Sequence, residues 1–175
     1  MKRSYFSLFV CLLLTATACV QSNPNLNKEG EDILQSNEVY LDDVDFPFND
    51  TVYVPIYSDI YSKTKDERFL LTATLSIRNT SLRDSLFIHD IGYYDTKGRK
   101  VRSYLDRTLL LTPMQSIEYV IEKEDKVGGA GANFLISWAA QSERLQPLFQ
   151  GVMVSVNGQQ GIAFTTEGVS IKKEK

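Results

Sequence analysis

The stretch Phe69-Leu70-Leu71-Thr72-Ala73-Thr74-Leu75-Ser76-Ile77-Arg78 decides the fold class. Phe69, Leu71, Ala73, Leu75 and Ile77 fall at every second position, and Thr72, Thr74, Ser76 and Arg78 lie between them. Successive side chains of a strand point to opposite faces, so the spacing predicts one buried and one wet face. The same period recurs outward in both directions. Val52, Val54 and Ile56 precede the stretch; Pro55 among them predicts an edge or a bulge, because proline cannot donate to a ladder. Asn79-Thr80-Ser81 closes the stretch. Ser85 to Tyr94 predicts a second strand with Phe87, Ile91 and Tyr93 on one side, and Asp95-Thr96-Lys97-Gly98 turns it into Val101–Leu105. Ile117, Tyr119 and Ile121 follow, then Phe134, Ile136 and Trp138. Val152, Val154 and Val156 lead into the hairpin signal Asn157-Gly158, with Ile162 and Phe164 beyond.

No segment of this region repeats its apolar residues at helical spacing, and Ser142 to Phe149 has room for one turn at most. About seven or eight short strands at such intervals predict an all-β domain, an antiparallel immunoglobulin-like β-sandwich. A closed barrel is the runner-up. The two cysteines, Cys11 and Cys19, both precede this region. The sheets are therefore expected to rest on apolar burial alone, at about 1.5–3 kcal/mol per large side chain before entropy is subtracted.

The amino terminus carries an address. Lys2 and Arg3 precede the apolar run Phe6–Leu14, which is too short to span a bilayer and has the flanks of a cleaved signal. Thr15-Ala16-Thr17-Ala18-Cys19 resembles a bacterial lipobox, in which cleavage exposes the cysteine for lipid attachment. Ala16 departs from the aliphatic residue usual at that place, and Ala16-Thr17-Ala18 also fits ordinary A-x-A cleavage. Ordinary cleavage, however, would leave Cys19 as a lone thiol in an oxidising space. The expectation is a signal peptide over 1–18 and lipidation at Cys19. Val20 follows Cys19 where an Asp would resemble an inner-membrane retention signal, and by that resemblance the outer membrane is the expected destination.

Residues 20–50 hold eight acids and one base, whereas residues 51–175 hold fourteen acids and sixteen bases. The net charge of −3 thus originates in one segment. An acidic flexible tether is expected over 19–50, a β-sandwich over 51–171 and a charged tail over 172–175. Asp42, Asp43, Asp45 and Asp50 lack the Gly and closing Glu of a calcium loop and read as a solvated linker, with Phe46-Pro47-Phe48 tucked onto the domain.

Val52-Tyr53-Val54-Pro55-Ile56-Tyr57-Ser58, Thr74-Leu75-Ser76-Ile77-Arg78-Asn79-Thr80, Tyr93-Tyr94-Asp95 and Gly128-Gly129-Ala130-Gly131-Ala132-Asn133-Phe134 occur in that order. Together they resemble the bacterial lipoprotein family of domain of unknown function 3124, over about residues 50–170. The resemblance implies export and a β-rich domain and carries no activity with it.

Chemistry-bearing residues are sparse. His89 is the single histidine, beside Asp90 with Asp95 nearby; alternation along a strand places His89 and Asp90 on opposite faces. No nucleophile motif such as G-x-S-x-G is present, and no spaced His/Cys cluster suits a metal. No catalytic residue, metal site or cofactor is expected. Gly128, Gly129, Gly131 and Asn133 form the candidate binding loop: its N–H groups could cradle an anion, although no Lys-Ser or Lys-Thr follows as in a P-loop. The ordinary reading of that loop is a mobile connection with positive-φ positions. Tyrosines 53, 57, 61, 93, 94, 104 and 119 offer an aromatic edge or, more simply, cross-strand pairs. The basic run Lys97, Arg99, Lys100 and Arg102, with Arg107, reads as the wet side of a hairpin, and nucleic acid is not an expected partner.

The function expected is a non-enzymatic, membrane-anchored binding or assembly module of the cell envelope, whose loops or Tyr-rich edge meet an envelope protein or glycan. The alternatives are a carboxylate-dependent envelope hydrolase using Asp90 and Asp95, and a small-molecule or ion carrier.

Overall fold

A computed structural model of the chain describes residues 38–39 and 46–171. Thirteen strands occur among them: β1 (Glu38–Val39), β2 (Phe48–Ile56), β3 (Asp59–Tyr61), β4 (Arg68–Leu70), β5 (Thr72–Arg78), β6 (Leu86–Tyr94), β7 (Lys100–Ser103), β8 (Thr108–Leu111), β9 (Ser116–Ile121), β10 (Ala132–Ala140), β11 (Leu148–Asn157), β12 (Gln160–Glu167) and β13 (Val169–Ser170). All pairings are antiparallel. The protein is all-β. Seven strands have six residues or more, namely β2, β5, β6, β9, β10, β11 and β12. They correspond to the segments that alternation marks, while two- to four-residue strands extend the edges.

One sheet has the order β1-β8-β6-β10-β2-β13, with β7 also on β6; a second has the order β12-β11-β5-β9; β3 and β4 form a small ribbon. Each large sheet is an open path, so the barrel alternative does not form. One apolar cluster draws on both sheets: Val54, Ile88, Ile91, Phe134 and Ile136 from the first meet Leu75, Ile77, Ile121 and Met153 from the second. Apolar burial of this kind is the main favourable term in folding.

Several local outcomes follow from backbone chemistry. Leu71 breaks the opening stretch into β4 and β5, yet Leu71, Ala73, Leu75 and Ile77 are all fully buried. Pro55 lies past the end of β13, which pairs with β2 at Val52 and Tyr53, so the ladder on that side stops before the proline, whose carbonyl accepts the Thr166 hydroxyl at 2.6 Å. The β11–β12 hairpin turns on Gly158-Gln159, because Asn157 pairs with Gln160 and Gly158 has φ +62°. A glycine at the first central position suits the mirror-image turn that matches strand twist. Ser142 to Leu145 closes a single turn, the Leu145 N–H donating to the Ser142 carbonyl at 3.2 Å.

One expectation is corrected. Phe87 does not share a face with Ile91 and Tyr93. Ile88 pairs with Trp138 and Asp90 with Ser137, so His89 is an extra residue, a β-bulge that shifts the alternation by one. Leu86 and Ile88 are buried before the bulge and Ile91 and Tyr93 after it, which leaves Phe87 outside. β2 begins at Phe48, and Glu38-Val39 pairs with β8 at Leu109 and Thr108. Phe46 is buried, its ring 4.6 Å from that of Phe87.

Candidate functional site

The Gly128–Asn133 loop enters β10 and is tied down by its own backbone. The Thr96 N–H and hydroxyl both donate to the Gly128 carbonyl at 2.9 Å, and the Gly131 N–H donates to Thr96 Oγ1 at 3.0 Å. The Ser58 N–H donates to the Gly129 carbonyl at 3.2 Å. Gly129 alone in the loop has a positive φ, +76°. At Gly128 the reason for glycine is space: a Cβ there would sit 1.9 Å from the Tyr93 hydroxyl oxygen. That hydroxyl shares a buried 2.9 Å hydrogen bond with Ser58 Oγ. Asn133 is a strand residue, paired with Pro55 and Tyr94. The loop's glycines thus serve the close approach of Thr96, Ser58 and Tyr93.

His89 and Asp90 are not on opposite faces. Ile88 and Ile91 are both buried, and the two residues between them both turn outward at the bulge. Even so, they do not pair with each other. His89 Nδ1 lies 3.0 Å from Thr108 Oγ1, and its ring meets Phe46 at 5.6 Å. Partial burial lowers the imidazole pKa from 6.5. Asp90 pairs with Lys100 at 3.1 Å. Asp95 is 4% exposed and its oxygens are occupied. Oδ1 accepts the Arg99 and Lys97 N–H groups, both at 2.9 Å, and Oδ2 accepts from the Arg99 guanidinium. The Arg99 N–H and then its side chain hold this carboxyl below its ordinary 3.8. These partners make Asp95 the clamp of the β6–β7 turn.

The tyrosines do not make an exposed aromatic edge. Of the seven tyrosines, Tyr61 is exposed, and Arg68 lies over its ring at 4.4 Å. Tyr93 and Tyr119 are buried, and Tyr104 packs between Tyr119 and Phe134 at 4.9 and 5.7 Å. Burial raises the hydroxyl pKa of all three, Tyr119 most. Arg102 of the basic run donates to Tyr104 Oη and to Asp125.

A pocket of about 360 Å³ opens at the end of the β2–β10 pair opposite the glycine loop. Phe48, Trp138 and Phe149 line it, the rings of Phe48 and Phe149 lying 5.2 and 6.2 Å from that of Trp138. Asp50, Glu143 and Glu167 line it too, and no Lys, Arg or His does. Asp50 pairs with Trp138 across the strands and has the core-facing parity of Val52 and Val54. Its oxygens accept the Thr51 N–H and the Ser170 hydroxyl. The Trp138 indole Nε1 is buried without an acceptor among the described residues.

Residues 49–171 match the family described as "Protein of unknown function (DUF3124)". The chain belongs to this family. The match covers the strands from β2 through β13 and with them every residue of the pocket except Phe48. No curated protein matches the chain. Among solved structures the chain is similar to one titled "Crystal Structure of Thermotoga maritima 1070", at 14% identity and a TM-score of 0.37, covering 69% of this chain and 92% of the other.

Sequence reasoning missed the pocket. Asp50 counts there as linker charge, whereas β2 turns it toward the sandwich interior. Its place two residues before Val52, in the same alternation, is the signal that could have found it. Among the described residues no group of three or more His, Cys, Asp or Glu side chains is arranged to hold a metal, and no helix is long and apolar enough to cross a membrane. Cys19 and residues 172–175 lie outside the described residues.

Proposed function

We propose that this member of the family is a lipid-anchored binding module of the cell envelope, without an enzymatic reaction of its own. The observation that carries the binding reading is the pocket between the sheet ends, lined by Phe48, Trp138 and Phe149 and by polar groups from β2, β12, β13 and the 141–147 loop. Ligand sites are typically concave, mostly apolar and furnished with a few placed polar groups. The glycine loop, in contrast, spends its polar groups on Thr96 and Ser58. Asp90 and Asp95 are engaged with Lys100 and Arg99, which favours binding over hydrolysis at those carboxylates. Supporting the anchor are the lipobox-like Thr15–Cys19 run and the acidic residues that follow it.

Photo-crosslinking in intact cells tests the reading. A crosslinker at Gln146, on the pocket rim, is expected to give discrete adducts, and one at Lys97, at the opposite end, is not. Equal labelling from both positions would remove the pocket as the binding end. Cys19→Ser is expected to abolish incorporation of radiolabelled palmitate; labelling that persists contradicts the anchor.

A further inference from the structure

We propose that β12 is a docking edge for a second copy of this chain. The two β12 strands pair antiparallel about a two-fold axis at Ala163 and join the second sheets of both copies into one. Neither the pocket nor the lipid anchor is needed for this pairing.

A sheet edge offers its unpaired N–H and C=O groups to any other strand, and proteins blunt such edges with short strands, charges, proline or bulges. Here the first sheet ends in two-residue strands, β1 and β13, and β7 beside them carries Lys100 and Arg102. β9, at one edge of the second sheet, has the exposed Glu118 at its middle. β12, at the other edge, has none of these defences. It runs eight residues in unbroken register with β11, without proline and without a charge before its last residue, Glu167.

The hairpin fixes which groups are open. Asn157 and Gln160 flank a two-residue loop and exchange both main-chain bonds, so alternate residues of β12 turn inward to β11. Gly161, Ala163 and Thr165 turn their N–H and C=O outward, where no backbone partner meets them among the described residues. Beyond them the Thr166 hydroxyl donates to the Pro55 carbonyl, where β12 approaches β2. The open run is therefore 161–165, with Ala163 at its midpoint.

Gly161 points to what covers the edge. Its φ is not positive, the register around it has no bulge, and a Cβ on it would meet nothing within 4 Å. Nothing inside the chain asks for glycine at this place. A glycine within a strand costs stability and, without a bulge or bend, marks the close approach of another backbone.

The run is complementary to itself. In the two-fold register, Gly161 of each copy lies opposite Thr165 of the other, Ala163 opposite Ala163, and Ile162 opposite Phe164. Small residues meet larger ones on the outer face, where the exposed Val156 stands across Gly161 and gains cover from the incoming threonine. The half-buried Ile162 and Phe164 form aromatic–aliphatic cross-strand pairs on the inner face. Glu167 stands opposite Gln159, so like charges do not meet. About six main-chain hydrogen bonds close the contact. A strand from another protein would have to match this run by its own sequence, whereas a second copy matches it by symmetry.

The full chain with Cys11→Ser and Cys19→Ser, in non-ionic detergent, tests the pairing. Ala163→Cys then supplies the single thiol, and hydrogen-bonded antiparallel partners lie about 5.5 Å apart at Cα, within disulfide reach. Mild oxidation is expected to give a disulfide-linked dimer from Ala163→Cys and monomer from Lys97→Cys. Without a new cysteine, sedimentation is expected to show a concentration-dependent dimer. Ala163→Lys sets like charges face to face at the axis, and Ala163→Pro removes an outward N–H while sparing the ladder to β11. Each is expected to weaken dimerisation at least about tenfold. Ala163→Lys, at an exposed position, decides the matter if the proline unfolds the strand. Monomer at every concentration overturns the proposal and leaves the edge to a strand of another protein. A dimer indifferent to Ala163→Lys, or equal crosslinking from Lys97→Cys, overturns it too.

Discussion

Asp50 stands directly opposite Trp138 across the β2–β10 pair, on the side of β2 that carries Val52, Val54 and Ile56 into the core. A carboxylate on a core-facing register position loses solvation, and it persists only where partners or water compensate. Here the Thr51 N–H and the Ser170 hydroxyl do so, at the open end of the sandwich. The same register that builds the core therefore delivers a charge to the pocket mouth.

The glycine loop makes an opposite statement, and Gly128→Ala checks it. The new Cβ would collide with the Tyr93 hydroxyl and lie 2.7 Å from the Ala132 Cβ. Overpacking of this kind costs about 1–3 kcal/mol. Urea unfolding should show that loss, with ligand affinity at the pocket unchanged. Unaltered stability would mean the loop has slack and is free for another role.

Asn79 links two loops and is 2% exposed. Its Nδ2 lies 2.8–3.0 Å from the carbonyl oxygens of Asp84, Leu111 and Thr112, and its Oδ1 accepts the Ser81 N–H. Asn79→Ala leaves several backbone groups without a partner, and a loss of about 3 kcal/mol is expected in denaturant titration. A loss below about 1 kcal/mol would show that water substitutes fully.

Asp95 predicts the acid limb of the stability curve. Its folded-state pKa is lowered, chiefly by the Arg99 N–H and side chain. The unfolded chain therefore binds the proton first as pH falls. The contribution is complete above the ordinary 3.8 and disappears as pH drops through the lowered folded value. Asp95→Asn should lower the melting temperature at neutral pH and flatten the decline below pH 4. Parallel curves for the two proteins would contradict the clamp.

What alternation can reveal, it revealed. Leu71, Ala73, Leu75 and Ile77 are buried as their spacing requires, and so are Ile117, Tyr119 and Ile121. A bulge is different: one added residue at His89 leaves no compositional mark, yet it reverses the face of Phe87 and turns His89 and Asp90 the same way. Along β11 apolarity itself misleads. Val154 and Val156 are 45% and 67% exposed, while Met153 and Ser155 are buried, and Ser155 Oγ donates to the Leu70 carbonyl. β-branched residues favour strands on either face, so their type alone does not fix direction. The pocket was illegible for a further reason. Its walls come from the start of β2, the end of β10, the 141–147 loop, the start of β11 and the residues around Gly168, which only the tertiary fold assembles.

The Trp138 indole N–H gives a single cross-peak in an amide correlation spectrum, and following the whole spectrum through a titration with soluble fragments of envelope glycan tests the central claim most directly. Shifts are expected to concentrate on the indole peak and on residues 48–52, 143–149 and 167–170. Shifts centred instead on residues 128–133, or spread evenly over the domain, would contradict the assignment of the sheet-end pocket as the place where this protein binds.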